Sequence, residues 1–136
     1  MVARTKYHEA GNRHELAVAL RLTEEGGSVA WPIGDGSAWD LVSDFSGKVN
    51  RIQVKGSDLV SPTGLVQVNL TKGSRHAQRY SRTDCDFVVA VAGKLGMYVI
   101  PVDEVKHSRL STWTGGRRRG RMPNYDNYKE AWHLLK

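Results

Sequence analysis

The chain has 136 residues and a formal net charge of +6, and its isoelectric point is near 9.7. This length suits one domain with a sizeable core, and the basic balance favours a polyanionic partner. A single cysteine, Cys85, excludes an intramolecular disulfide and fits a reducing compartment. No apolar run is long enough to span a membrane and no signal-like segment opens the chain, so we expect a cytoplasmic protein that is not secreted.

Residues 8–25 are predicted to form the first helix, which Gly26-Gly27 ends. Three apolar residues share one face at helical spacing: Leu16, Ala17 and Leu20. Glu15 lies on a second line of the helix, which continues through Val18, Ala19 and Leu22. A carboxylate on a partly apolar line suggests a functional role. A surface acid paired with a basic neighbour is the alternative.

Residues 28–33 predict a strand, and residues 39–57 predict a β-hairpin. Ser46-Gly47 is a turn signal between two runs that alternate apolar and polar residues. With a two-residue loop, Phe45 pairs with Lys48. The same register places Leu41 opposite Ile52 and Asp40 opposite Gln53.

One face of this hairpin gathers Asp40, Gln53 and Lys55, because side chains alternate with period 2 along a strand. The other face is predicted to enter the core with Trp39, Leu41, Ile52 and Val54. A carboxylate and an amide oxygen suit a hard cation such as Mg²⁺. A neighbouring ammonium can orient water and neutralise charge that grows on a phosphate. A solvated cross-strand pair is the alternative interpretation.

The order Asp40, hairpin, Gln53-Val54-Lys55 resembles the signature of the PD-(D/E)xK nuclease superfamily. Trp39 stands where the signature has proline, and Gln53 stands where it usually has the second acid. Within the superfamily, Ile52-Gln53-Val54-Lys55 is most similar to the small homing endonucleases associated with group I introns. The archaeal Holliday-junction resolvases share the same core, normally with an acid at this place.

This resemblance implies an α/β, restriction-endonuclease-like core, in which a central mixed β-sheet is flanked by helices. It implies a Mg²⁺-dependent DNA endonuclease, with Mn²⁺ as a possible substitute, whose product carries a 5′-phosphate. Asp40 would bind the metal directly, and the Gln53 side-chain oxygen and the Val54 carbonyl would complete its protein ligands. Lys55 would position the attacking water. Glu15 matches a first-helix acid that holds a ligand water or a second cation.

One such site cuts one strand, so a cut through double-stranded DNA requires two subunits and predicts a homo-oligomer, either a dimer or a tetramer. Two other functions stay open. A junction resolvase would perform the same chemistry on branched DNA. A non-catalytic DNA-binding module of the same fold is compatible with the glutamine at position 53.

Residues 65–70 predict a strand that extends an antiparallel meander, and a helix is expected from about Ser74. The exposed side of that helix and its approach carry candidate contacts to a DNA backbone. Together with a serine that follows the hairpin, the candidates are Ser57, Lys72, Arg75 and Arg79. A plain solvated face is the alternative.

Residues 86–92 form a nearly continuous apolar run, which predicts a strand buried on both faces. The last strand is expected at residues 97–100, and an amphipathic helix at residues 124–136. The segment 108–123 combines glycines with clustered arginines, which predicts a flexible basic segment. Its candidate DNA contacts are Arg117, Arg118, Arg119 and Arg121, with a solvated loop as the alternative. We expect one domain over residues 1–136.

Overall fold

The computed structural model describes residues 6–34, 36–73, 75–115 and 123–136, with side chains from residue 9 onward. These described residues form one long helix, α1, and nine strands, β1 to β9. In chain order they are α1 (Lys6–Glu24), β1 (Ser28–Ala30), β2 (Leu41–Phe45), β3 (Lys48–Ser57), β4 (Leu65–Asn69), β5 (Thr71–Lys72), β6 (Gln78–Arg79), β7 (Phe87–Ala92), β8 (Met97–Pro101) and β9 (Arg109–Trp113). Short 3-10 helices occupy Gly93–Leu95, Val102–Glu104, Asp126–Tyr128 and Trp132–Leu135. In the described residues, no helix is both long and apolar enough to cross a membrane.

The central sheet has five strands in the order β1-β2-β3-β7-β8. Strand β3 pairs with β7 in parallel, and the other neighbours are antiparallel, so the sheet is mixed as predicted. The inner strand β7, between β3 and β8, is buried from Val88 to Ala92. The meander holds for β1 to β3. Its extension through β4 is wrong, because β4 leaves this sheet and pairs with β9 in a two-stranded ribbon.

The two faces of the central sheet are covered by different elements. Helix α1 covers one face, where Val18 and Leu22 pack with Ile52 of β3. The β4–β9 ribbon covers the other face, where Val68 and Leu110 are fully buried. Burying a valine or leucine side chain contributes about 1.5–3 kcal/mol, so both layers stabilise the sheet.

The prediction that Leu16 and Leu20 lie on the buried face of α1 is wrong. Leu16 and Leu20 are 61% and 59% exposed. The line that continues from Glu15 is buried instead: Val18, Ala19 and Leu22. Both lines satisfy helical periodicity, and tertiary packing selects the one with compact Val18 and Ala19 against the sheet.

The helix expected from about Ser74 is also absent from the described residues around it, since β5 and β6 form a small antiparallel pair there. Gly73 has a φ of +83°, a left-handed conformation that a right-handed helix does not contain. The Asn69 side chain accepts hydrogen bonds from the Thr71 amide and hydroxyl, at 3.0 and 2.7 Å. These local contacts bend the backbone into a turn.

The basic segment 108–123 was expected to be flexible, and this is wrong for Arg109–Trp113, which forms β9. Asn124 supports β9 by accepting from the Ser111 amide and donating to the Arg109 carbonyl. Residues 116–122, with all four candidate arginines, lie outside the described residues.

The expected C-terminal helix is replaced by two 3-10 turns. Glu130 interrupts them with a positive φ of 53°. Trp132 and Leu135 are nevertheless buried, on the α1 side of the sheet.

Candidate active site

The β2–β3 hairpin has the predicted register. Phe45 pairs with Lys48, and Leu41 pairs with Ile52. Ser46 and Gly47 both have positive φ, 53° and 94°, as a two-residue hairpin turn matched to strand twist requires. Regular pairing ends at Leu41, and the Asp40 amide donates to the Ile52 carbonyl at 2.8 Å.

Trp39 departs from the prediction that it joins Leu41 and Ile52 on one core face. It packs instead against the cluster beneath the β4–β9 ribbon, on the other side of the sheet. Its side chain also lines a cavity of about 310 Å³ in front of Asp40. The cavity is lined by Glu15, Trp31, Pro32, Gly34, Ser37, Trp39 and Asp40.

Asp40 is held against the strand that carries the other candidate residues. Its Oδ2 accepts a hydrogen bond of 2.8 Å from the Val54 amide. Burial raises the pKa of Asp40, and the Val54 amide, Lys55 and Glu15 partly offset this effect. The carboxylate is therefore partly desolvated and faces a small polar cluster.

Glu15 reaches the same cluster from α1. Burial, followed by the charge of Asp40 and a hydrogen bond with it, raises the pKa of Glu15 to about 7. Two neighbouring carboxyl groups resist ionising together, because their negative charges repel each other. A bound cation would relieve this repulsion.

His14, the chain neighbour of Glu15 on α1, is buried. The His14 ring packs directly on Gly56, where any Cβ atom would overlap it. The His14 Nε2 lies in hydrogen-bonding distance of Asp58 Oδ1, at 3.1 Å. Gly56 thus allows α1 to approach β3 closely one residue beyond Lys55.

Lys55 and Gln53 lie on the opposite face of β3 from Ile52 and Val54, as period 2 requires. Burial lowers the pKa of Lys55, and Asp40 partly raises it again. The Lys55 Nζ lies 5.5 Å from the centre of the Tyr80 ring, a cation–π distance.

Tyr80 is a site residue that the sequence analysis did not identify. Its ring is buried, and burial raises the pKa of its phenol to about 12, so it stays neutral. No local sequence pattern marks it, because the β5–β6 turn brings it to Lys55 from outside the hairpin.

Four groups around Asp40 could supply oxygen ligands to a metal. Glu15 and Asp40 supply carboxyl groups, and the Val54 carbonyl and the Gln53 amide supply neutral oxygens. The Gln53 Nε2 lies 3.5 Å from the Val54 oxygen, and a 180° rotation of the amide exchanges its nitrogen and oxygen. In the described part of the chain, no three His, Cys, Asp or Glu residues form a metal cluster. The two acids therefore need these neutral oxygens, which fit a hard cation such as Mg²⁺.

Three of the four described candidates for DNA contact have hydrogen-bond partners within the protein, and the fourth is exposed. Ser57 accepts from the Leu59 amide at 3.2 Å. Lys72 is bound by both Asp84 oxygens at 2.9 Å, and Arg79 donates to the Lys106 carbonyl at 2.7 Å. Arg75 is exposed. Their contact with DNA remains a prediction.

Similarity to known proteins covers nearly the whole chain. A family model described as PD-(D/E)XK endonuclease matches residues 5–135. Protein 5.3 of Escherichia phage T7 is 28% identical over 113 residues, which cover 83% of this chain and 94% of that protein.

A solved structure titled as a bacterial homing endonuclease, I-Ssp6803I, superposes with a TM-score of 0.76. It is 31% identical and covers 98% of this chain and 92% of its own. The match confirms the restriction-endonuclease-like fold. The chain belongs to the PD-(D/E)XK endonuclease family.

Proposed function

We propose that this chain is a Mg²⁺-dependent homing endonuclease that hydrolyses phosphodiester bonds in double-stranded DNA. The observation that carries the proposal is the convergence of Glu15, Asp40, Gln53 and Lys55 at one end of the hairpin. The pKa of Glu15, raised to about 7 by burial and by Asp40, supports a site that exchanges a proton for a cation. The homing role is supported by the similarity to I-Ssp6803I.

Asp40, Glu15, the Val54 carbonyl and the Gln53 amide oxygen would hold Mg²⁺, or Mn²⁺ in its place. Such an ion supplies polarisation of the phosphate and a more acidic water. The Val54 amide keeps the Asp40 carboxylate oriented, through its 2.8 Å hydrogen bond. Among the described residues of this cluster only Glu15 and Asp40 are acids, so Glu15 would provide the charge that the neutral Gln53 does not.

Lys55 would position the attacking water and offset the negative charge that grows on the phosphorus oxygens. The water oxygen forms a bond to phosphorus while the bond to the 3′ oxygen breaks. The products are a 5′-phosphate and a 3′-hydroxyl group. Tyr80 would present a neutral aromatic face to the Lys55 ammonium, at 5.5 Å from the ring centre, without adding a second anion beside it.

A homo-oligomer is part of this proposal, since two sites are needed to cut both strands. A cytoplasmic location is proposed as well and is supported by the free, buried thiol of Cys85. Sedimentation of the purified protein measures the number of subunits.

A cleavage assay on linear duplex and on four-way junction DNA tests the function, with Mg²⁺ or with EDTA. We expect the duplex to be cut with Mg²⁺, and Asp40→Asn to bind DNA without cutting it. Selective cutting of the junction would identify a resolvase instead. DNA binding without cleavage at any Mg²⁺ concentration would favour the non-catalytic binding module.

A further inference from the structure

The β4–β9 ribbon presents a polar face to solvent beside the strand that carries Gln53 and Lys55. Alternate side chains of a strand point to opposite faces, and the inward ones here are buried: Val66, Val68, Leu110 and Thr112. The outward face carries the alternate positions: Leu65, Gln67, Asn69, Arg109, Ser111 and Trp113. Neither strand contains a carboxylate, so this face is compatible with a polyanion.

A cleft of about 400 Å³ connects this face to the end of β3. Its walls include Ser57, Leu59 and Ser61 on one side, and Gln67, Asn69 and Arg109 on the other. Ser57 lies two residues beyond Lys55, which corresponds to about 7 Å along the strand. A duplex whose backbone is attacked beside Lys55 would therefore extend over the ribbon.

Side chains on the outward face keep hydrogen-bond donors or acceptors that no protein group uses in the described residues. Gln67 Nε2 donates to Ser111 Oγ at 3.3 Å, which leaves Gln67 Oε1 as an acceptor. Asn69 Oδ1 accepts from the Thr71 amide and hydroxyl, which leaves Asn69 Nδ2 as a donor. Within the described part of the chain, the Arg109 guanidinium makes no ion pair. Gln67 and Asn69 are already oriented by these hydrogen bonds and therefore lose less entropy on binding.

We propose that the outward face of the β4–β9 ribbon reads base edges in the major groove of duplex DNA, next to the cleaved phosphodiester. This inference rests on the proposed endonuclease function. The major groove, about 12 Å wide, admits a two-stranded ribbon. The five paired residues of each strand span about 13 Å, which matches roughly four base pairs at about 3.4 Å each.

Three of the four outward polar side chains fit different base edges. Arg109 offers two donors to guanine O6 and N7. Gln67 Oε1 accepts from the exocyclic amine of adenine or cytosine. Asn69 Nδ2 donates to a purine N7 or to thymine O4, because its oxygen is already used by Thr71.

The test selects bound sequences from a randomised duplex library, with the full chain carrying Asp40→Asn in Mg²⁺ so that DNA is bound but not cut. Gln67→Ala, Asn69→Ala and Arg109→Ala are each added to this parent. Each should reduce discrimination at its own base position by about 5- to 150-fold. Affinity for unrelated duplex should change little, and only Arg109→Ala should lower its log–log salt slope, by about 0.9 at most.

Two further comparisons sharpen the result. Arg109→Gln should change the preferred base at one position from guanine to adenine, because glutamine pairs with adenine N6 and N7. Asn127→Ala and Lys129→Ala serve as matched controls, since both residues are exposed on the C-terminal segment beside β8. These controls should leave the selected sequence unchanged.

An unchanged selected sequence in all three ribbon variants would overturn the proposal, and so would a parent that selects no sequence. If the variants change the number of subunits but not the base preference, the face is a subunit interface and the proposal is wrong. Failure of the nuclease function is a separate outcome. A wild-type chain that never cuts DNA, but whose base preference depends on these residues, contradicts only that function.

Discussion

The Asp40 Oδ2 and the Val54 amide are joined by a 2.8 Å hydrogen bond between the start of β2 and the middle of β3. Regular hairpin pairing has already ended at Leu41, so this side-chain contact takes the place of a backbone one. The hydrogen bond brings the Asp40 carboxylate to Val54, whose neighbours along β3 are Gln53 and Lys55. The contact thereby fixes the Asp40 carboxylate against β3, the strand that carries Gln53 and Lys55.

Because of this hydrogen bond, the charge of Asp40 and its structural role can be tested with two different substitutions. Asp40→Asn retains an acceptor oxygen for the Val54 amide, whereas Asp40→Ala removes it. Both variants should abolish cleavage and keep DNA binding, and Lys55→Ala should do the same. Only Asp40→Ala should also lose about 1 kcal/mol of unfolding free energy through the missing hydrogen bond. Cleavage and thermal unfolding measure the two effects, and normal cleavage by Asp40→Asn would refute the assignment.

The neutral ligand Gln53 makes the second acid, Glu15, important for metal affinity. Ligand charge strongly affects the affinity of a hard cation. Glu15→Gln should therefore sharply raise the Mg²⁺ concentration needed for cleavage, while Gln53→Glu should be tolerated or should lower it. A Mg²⁺ titration of cleavage compares the three proteins. If Glu15→Gln titrates like the parent, Glu15 is only a surface acid of α1.

Glu15 also makes stability depend on pH. Its pKa is about 7 in the fold, against 4.5 for an ordinary glutamate, so folding favours the protonated form. Its contribution to stability is complete below pH about 4.5 and is lost as pH rises through about 7. In EDTA, Glu15→Gln should be more stable than the parent at pH 8, by about 1–2 kcal/mol after solvent screening. Denaturant unfolding at pH 4.5 and 8 measures this difference, which should vanish at the lower pH. A difference that does not change with pH would contradict the raised pKa.

The Lys55 Nζ lies 5.5 Å from the centre of the Tyr80 ring, and at this cation–π distance we expect the ring to favour the charged form of Lys55. Tyr80→Phe keeps the aromatic face, and Tyr80→Leu removes it. We expect Tyr80→Leu to lower the cleavage rate roughly 2- to 30-fold and to move the alkaline limb of the pH–rate profile to lower pH. Tyr80→Phe should keep the cleavage rate and the alkaline limb of the parent. An unmoved alkaline limb in folded Tyr80→Leu would reduce Tyr80 to a core residue.

The arginine run at residues 117–121 is expected to contribute phosphate contacts. Replacing Arg117, Arg118, Arg119 and Arg121 with serine should weaken DNA binding and flatten its salt dependence. Each lost phosphate contact should lower the log–log slope by about 0.9. Binding measured over a range of salt concentrations provides the slope, and an unchanged slope would show that these arginines do not touch DNA. Loss of sequence preference beyond the loss of affinity would indicate base reading.

The sequence by itself determined the features that depend on neighbouring residues. The Ser46-Gly47 turn and the period of two set the register of the hairpin, and hence the common face of Gln53 and Lys55. The nearly continuous apolar run at residues 86–92 predicted the inner strand β7, because burial on both faces requires apolar residues at every position.

Only the tertiary structure decided which partner each local element meets. Leu16 and Leu20 match helical periodicity as well as Val18 and Leu22 do, and contact with the sheet selects between the two lines. Strand β4 alternates equally well in either sheet, yet it pairs with β9 about forty residues later in the chain. The same distant packing brings Tyr80 to Lys55 and desolvates Glu15. These results follow from competition among long-range contacts, which periodicity over a few residues does not contain.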